Sequence, residues 1–284
     1  MSVLLKVAMT ALAAAALAAV LLLALWPFLR HQLMYPGGRM RADQADPKLW
    51  GLPTAEEVRI ETADGVTLHG WWIPAAGPRA DARGAVIYFH GNASTIGPRA
   101  WLGGRLARRG VHVLLFDYRG YGLSDGRPGE AGLRRDARAA WDHVVEARGV
   151  PPERIVLMGN SLGSAVATDL ALDRHDAAAL ILSAPFPDFP ALFRHHAPWL
   201  PLRLLPWRSN RWEAGSRVGA LAMPVLIALG ELDRVVPPHL SRAVYDAASE
   251  PRRLVVTDAE HNTLVAEPAF WHAIDEQLDD ALGR

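Results

Sequence analysis

Two pentapeptides in this 284-residue chain follow the pattern Gly-x-Ser-x-Gly: GLSDG at residues 122–126 and GNSLG at 159–163. A serine in that pattern can attack a carbonyl carbon when it sits on a sharp turn between a strand and a helix. The turn exposes Oγ, and the helix N-terminus favours negative charge beside it. The pattern carries meaning only in that context. Ser161 has the context: the apolar run RIVLMG precedes it and the small-residue helical stretch LGSAVATDLAL follows. Gly159 and Gly163 remove side chains where strand and helix approach each other. Ser124 lacks it, because its strand ends near Asp117, a Gly-rich stretch intervenes, and Pro128 and Gly129 delay the next helix. Ser161 is therefore the expected nucleophile, and Ser124 a loop residue.

A serine hydroxyl needs a base to take its proton, and the base needs an orienting acid. Asp233 follows the run PVLIALG, within GELDRVVP, and His261 follows RRLVVTD, within DAEHNTL. The order Ser, Asp, His is one in which such triads occur. Glu231 and Asp258 are rival acids; Asp233 is preferred because it lies in the loop after a strand rather than at the strand's edge. Among the other histidines, His90 closes the run GAVIYFH as a structural hydrogen-bonder, and His195, His196 and His239 are expected on the surface or in packing. Two backbone N–H groups would hold the oxyanion of a tetrahedral intermediate. One is that of Leu162, after the nucleophile, and the other comes from the loop HGNAST, where Gly91 permits the turn and Asn92 or Ala93 presents its N–H. No His pair shows a metal-ligand spacing such as HExxH, so no metal or other cofactor is expected.

These residues must be carried on strand ends. The stretch EEVRIETADGVTLHGWWIP alternates on either side of Asp64-Gly65, which is a hairpin signal. Six short apolar runs follow at 84–90, 111–118, 154–160, 178–185, 224–230 and 252–258, with helical patterns at 98–109, 130–148, 162–173, 238–249 and 266–282. Continuous apolar runs read as strands buried on both faces, and their alternation with helices predicts a mostly parallel, doubly wound α/β sheet. Ligands then sit beyond the carboxyl ends of the strands. Residues 186–219 fit neither period and are long for a connection, which predicts a small cap inserted over the sheet. That segment holds Phe186, Phe189, Phe193, Trp199, Trp207 and Trp212 with Arg194, Arg203, Arg208 and Arg211, against only Asp188 and Glu213. Such a surface suits a membrane interface or an acyl chain; ordinary packing with solvated arginines accounts for the same residues.

Thirty basic residues balance thirty acidic ones, which removes the charge excess that nucleic-acid binding draws on. The absence of cysteine excludes disulfides and thiolate chemistry. The N-terminus stands apart. Residues 7–29 are uncharged, and 23 residues of helix, about 35 Å, can span a hydrocarbon layer. Lys6 precedes this run, and Trp26, Pro27, Arg30 and Tyr35 flank its end as interface anchors do. A cleaved signal peptide is the competing reading, with Ala13, Ala14 and Ala15 as cleavage-compatible residues, but the run is longer than its usual apolar core. The expected division is an anchor at 1–30, a connector at 31–54 and a catalytic domain at 55–284. Lys6 on one side and Arg30, Arg39 and Arg41, diluted by Asp43 and Asp46, on the other leave the orientation open.

In order, YFHGNA, DYRGYGLSDGRPGE, GNSLGSAVA, GELDRVVPP and EHN resemble the membrane-anchored α/β hydrolase domain-containing proteins, with similarity also to the serine aminopeptidase-like group, over about residues 55–280. The resemblance implies the α/β hydrolase fold, a triad of Ser161, Asp233 and His261, and a DYRGYGxSxG loop that is not the nucleophile. The chain departs from it at Asn160, where Arg, Gln or His is common, which bears on the pocket and not on the triad. Such proteins cleave carboxylic esters, thioesters of acylated proteins, or peptides. The expected function is a serine esterase, lipase or thioesterase acting on an acyl substrate near a membrane; a peptidase and a catalytically silent membrane-tethered interaction protein are the alternatives.

Overall fold

A computed structural model describes residues 2–38, 40–76, 82–200, 202 and 210–283, apart from the side chain of Ala214. Arg39, Arg203, Trp207 and Arg208, singled out above, lie outside the described residues. The Asp64-Gly65 turn joins β1 (Glu56–Glu61) to β2 (Thr67–Ile73) as an antiparallel hairpin closed by the pair Glu61 and Thr67. Its geometry follows from the sequence: Gly65 takes φ 75°, and the Thr62 hydroxyl accepts from Val66 N at 3.0 Å. The remaining strands are β3 (Ala85–Phe89), β4 (His112–Phe116), β5 (Ile155–Asn160), β6 (Ala179–Ser183), β7 (Val225–Gly230) and β8 (Arg252–Thr257).

The eight strands among the described residues form one sheet in the order β1-β2-β4-β3-β5-β6-β7-β8. Only β1–β2 and β2–β4 pair antiparallel, and the rest are parallel. Strands β3, β5, β6 and β7 are buried along their whole length, as their unbroken apolar runs require once helices cover both faces. Those helices are α2 (Ala100–Ala107), α3 (Glu130–Asp142), α4 (Leu162–Asp173), α6 (Pro238–Ala247) and α7 (Pro268–Leu282), and α5 (Phe189–His196) lies between β6 and β7. The helical pattern expected to reach residue 148 continues past α3 only as a π-helical turn, His143–Ala147, before Gly149 at φ 69°.

The N-terminal helix α1 (Val3–Met34) is long and apolar enough to cross a membrane, and it continues beyond the expected end of the anchor at residue 30. It stops at Tyr35, which precedes Pro36, and a residue before proline is disfavoured in helix. Trp26, Arg30 and Met34, four residues apart, are buried on one stripe, whereas Phe28, Leu29 and Leu33 stay exposed. The aromatic residues of 186–219 divide in the same way. Phe186, Phe189 and Trp212 are core residues, Phe193 is partly buried against them, and Trp199 is 79% exposed. Arg211 faces Glu213 at 3.0 Å and Asp188 at 3.9 Å. Packing therefore accounts for Phe186, Phe189, Phe193 and Trp212, and an acidic partner for Arg211, whereas Arg194 and Trp199 are exposed.

Candidate active site

Parallel strands bring their carboxyl ends to one edge, and the residues after β3, β5, β7 and β8 lie along it. Ser161 joins β5 to α4 at φ 54° and ψ −118°, a conformation that costs a non-glycine residue on the order of 1–3 kcal/mol. Its neighbours hold it there. Ser161 N donates to Ser183 O at 2.9 Å, Ser164 N donates to Ser161 O at 2.9 Å, and the Ser164 hydroxyl lies 3.1 Å from Gly159 O and 3.0 Å from Ser183 O. A Cβ on Gly159 would lie 2.3 Å from Gly163 O, and one on Gly163 would lie 1.9 Å from Phe89 O. Both glycines are thus required by main-chain approach. Asn160 is buried, and its amide donates to Ser183 Oγ at 2.9 Å. The residue that departs from the family pattern therefore braces the turn by tying β5 to β6.

His261 Nδ1 lies 2.7 Å from Asp233 Oδ2. A carboxylate only accepts, so Nδ1 donates and Nε2 is left as the acceptor of the neutral ring. The other oxygen, Asp233 Oδ1, accepts from Val235 N and Val236 N, each at 2.8 Å, so three donors orient the buried carboxylate. Of the rival acids, Glu231 is exposed and pairs with Arg242, and no hydrogen bond joins Asp258 to His261 among the described residues. No hydrogen bond joins Ser161 Oγ to His261 among the described residues; catalytic bonds of this kind are often long until a substrate is bound. The N–H groups of Leu162, at the start of α4, and of half-buried Asn92 have no intramolecular acceptor among the described residues.

The remaining candidates are structural. His90 is fully buried, its Nδ1 lies 2.7 Å from Gly91 O, and burial lowers its pKa and keeps the ring neutral. Ser124 is buried as well: its hydroxyl donates to Asp117 O at 2.7 Å and accepts from His69 N at 2.9 Å. It fastens the GLSDG loop to β2. The change Ser124→Ala leaves a buried donor and acceptor unpaired and should destabilise the fold by about 1–3 kcal/mol, read from the urea midpoint, with activity per folded molecule unchanged. A loss of activity without loss of stability would contradict this role. No group of three or more His, Asp or Glu side chains placed to hold a metal occurs among the described residues.

Several contacts at this edge had no local signal. His196, at the end of α5, places Nε2 2.9 Å from Val235 O, so the segment after β6 touches the loop that holds Asp233. His195 meets His196 edge to face and His239 at a tilt, with ring centroids 5.1 and 5.3 Å away. Asn92 Nδ2 reaches Met34 O of α1 at 3.4 Å. Periodicity within a segment cannot register such pairings.

Comparison with known proteins is consistent with this architecture. Residues 80–216 match the Hydrolase_4 family, described as serine aminopeptidase, S33. A protein of Mycobacterium tuberculosis (strain ATCC 25618 / H37Rv) is 40% identical over 80% of this chain and 76% of its own length. The lysophosphatidylserine lipase ABHD12 of Danio rerio is 30% identical over 75% of this chain and 63% of its own. The esterase Pf2001 of Pyrococcus furiosus superposes with a TM-score of 0.68 at 23% identity, covering 84% of this chain and 96% of that one. With its strand order and the turn at Ser161, the chain belongs to the α/β hydrolase superfamily.

Proposed function

We propose that this protein is a membrane-tethered serine hydrolase that cleaves carboxylic esters or thioesters of acyl, lipid-like substrates. The observation that carries the proposal is the 2.7 Å contact from His261 to Asp233 at the sheet edge where Ser161 stands in its strained turn. His261 Nε2 takes the Ser161 proton as Oγ attacks the acyl carbon. The N–H groups of Leu162 and Asn92 receive the negative oxygen, a stabilisation worth about 3 kcal/mol per donor. His261 then protonates the leaving alcohol or thiol, and water, deprotonated in turn by His261, releases the acid and restores the Ser161 hydroxyl.

In this reading α1 is a single-pass anchor and the described residues within 186–219 belong to a cap over the site. The length and hydropathy of α1, the exposed indole of Trp199 and the lipase named among the relatives support a substrate drawn from a membrane. The match to a family described as serine aminopeptidase favours a second reading, a peptidase. A panel of p-nitrophenyl acyl esters of rising chain length beside aminoacyl p-nitroanilides separates the two. Ester turnover that rises with chain length is expected. A preference for the amides would overturn the lipid reading, and turnover of neither would leave a silent interaction protein.

A further inference from the structure

The last turns of α1 do not leave the domain as a free tether. Within the uncharged run the most apolar window of the helix is unburied. From Leu22 onward a stripe at four-residue spacing turns inward: Leu22 is half-buried, and Trp26, Arg30 and Met34 are buried. Leu22 and Trp26 pack against Phe193, Leu200 and Leu202 of the segment after β6, and the Trp26 and Phe193 rings meet edge to face at 5.9 Å. From Phe193 the rings continue to Phe189 at 6.2 Å and on to Phe186 at 5.0 Å, three residues beyond Ser183, whose carbonyl accepts from Ser161 N. A ladder of aromatic rings thus runs from the helix to the strand end beside the nucleophile.

The other stem of the same segment is also held by α1's end. Tyr35 Oη donates to Asn210 Oδ1 at 2.8 Å and accepts from Trp212 Nε1 at 2.8 Å. Asn210 and Trp212 both adopt left-handed backbone, at φ 61° and 52°, a conformation that persists only where surroundings enforce it. Burial raises the pKa of the Tyr35 phenol, so it stays protonated and able to donate. Asn210 Oδ1 also accepts from Glu130 N at 2.8 Å, which ties this stem to α3. The contact from Asn92 to Met34 O adds the loop after β3. One helix end therefore grips both stems of the cap and touches the loop expected to bind the oxyanion.

Depth decides what this arrangement is for. Trp26 and Leu22 lie three and seven residues before the end of the uncharged run, about 5 and 10 Å along the helix axis. Cap residues that pack on them sit at the level where α1 leaves hydrocarbon. Resting on the reading of Ser161 as nucleophile and α1 as a membrane span, we propose that the end of α1 is a substrate gate: a long-chain acyl ester passes from the bilayer to Ser161 along the α1–α5 seam. Trp26 forms a wall of the path, and Tyr35 is a positioning residue that fixes the returning stem of the cap.

The test uses the full chain in phosphatidylcholine vesicles with two esters, p-nitrophenyl palmitate in the bilayer and p-nitrophenyl acetate in the water. For Trp26→Ala and Tyr35→Phe the palmitate-to-acetate ratio of kcat/KM should fall roughly ten- to a hundredfold, since only the long chain uses the seam and one methylene more or less in an apolar site changes kcat/KM by about that factor. Trp26→Phe, which keeps a ring against Phe193, should recover most of the ratio. Leu17→Ala, on the exposed part of α1, should leave it unchanged. A ratio that does not move, or an equal fall for both esters, would overturn the gate while the hydrolase reading stands. A wild-type chain that neither turns over acetate nor is labelled by a fluorophosphonate would overturn both.

Discussion

Replacing Ser161 by alanine is expected to abolish covalent labelling by a fluorophosphonate probe and to lower kcat by roughly a thousandfold or more, with the fold intact. The expected loss is large because, in the proposed mechanism, Oγ is the atom that bonds to the acyl carbon, and neither the base nor the oxyanion donors can replace it. What catalysis survives would come from the donors and from binding. Stability should hardly change. The interactions that fix the turn, Ser161 N to Ser183 O and Ser164 N to Ser161 O, belong to the main chain and persist in alanine. A shift within about 0.5 kcal/mol is expected. Labelling resolved on a gel, beside a thermal melt, checks both statements, and Ser124→Ala is the companion that should still label. Probe incorporation that survives in the Ser161→Ala chain would place the nucleophile elsewhere.

Gly163→Ala should be the most damaging one-methyl change in the domain. The added Cβ would fall 1.9 Å from Phe89 O, 2.5 Å from Phe89 C and 2.8 Å from His90 O. All three are main-chain atoms, so no rotamer change relieves the clash. The first turn of α4 must move off β3, carrying the Leu162 N–H with it and disturbing the loop that holds Asn92. A destabilisation of about 3 kcal/mol or more is expected, at the upper end for overpacking. Molecules that still fold should lose on the order of a hundredfold in labelling rate through misplaced groups. Gly65→Ala is the informative comparison. Gly65 takes φ 75° with no atom within 4 Å of a new Cβ, so only backbone preference opposes the change. About 1 kcal/mol is expected there, with the labelling rate intact. Urea unfolding separates the two, and a Gly163→Ala chain of wild-type stability would refute the close approach of α4 to β3.

Where the sequence alone was sufficient, the signal was local. Apolar runs bounded by turn residues located the strands to within a residue or two, because a strand covered on both faces has no polar side to interrupt it. The choice between GNSLG and GLSDG followed from what flanks each serine, and the structure puts Ser161 between β5 and α4 and buries Ser124 in hydrogen bonds to the hairpin strand. The preference for Asp233 over Glu231 and Asp258 followed from its place after a strand, and Asp233 is the acid found 2.7 Å from His261. Asn160 was less legible: its spacing marked a departure, but its bond to Ser183 exists only because β6 lies beside β5.

The order of these elements and the residue types at the strand ends were determined by sequence, since alternation, turn chemistry and small residues at a tight turn are properties of short segments. The tertiary structure decided how α1 meets the domain. Trp26 and Phe193 are far apart in the chain, and Tyr35 meets Asn210 across 175 positions. An uncharged helix carries no period that says which stripe will be covered, and a tyrosine carries no mark of the partner its hydroxyl will find. Those pairings arise only when the sheet brings the segment after β6 beside the end of the helix.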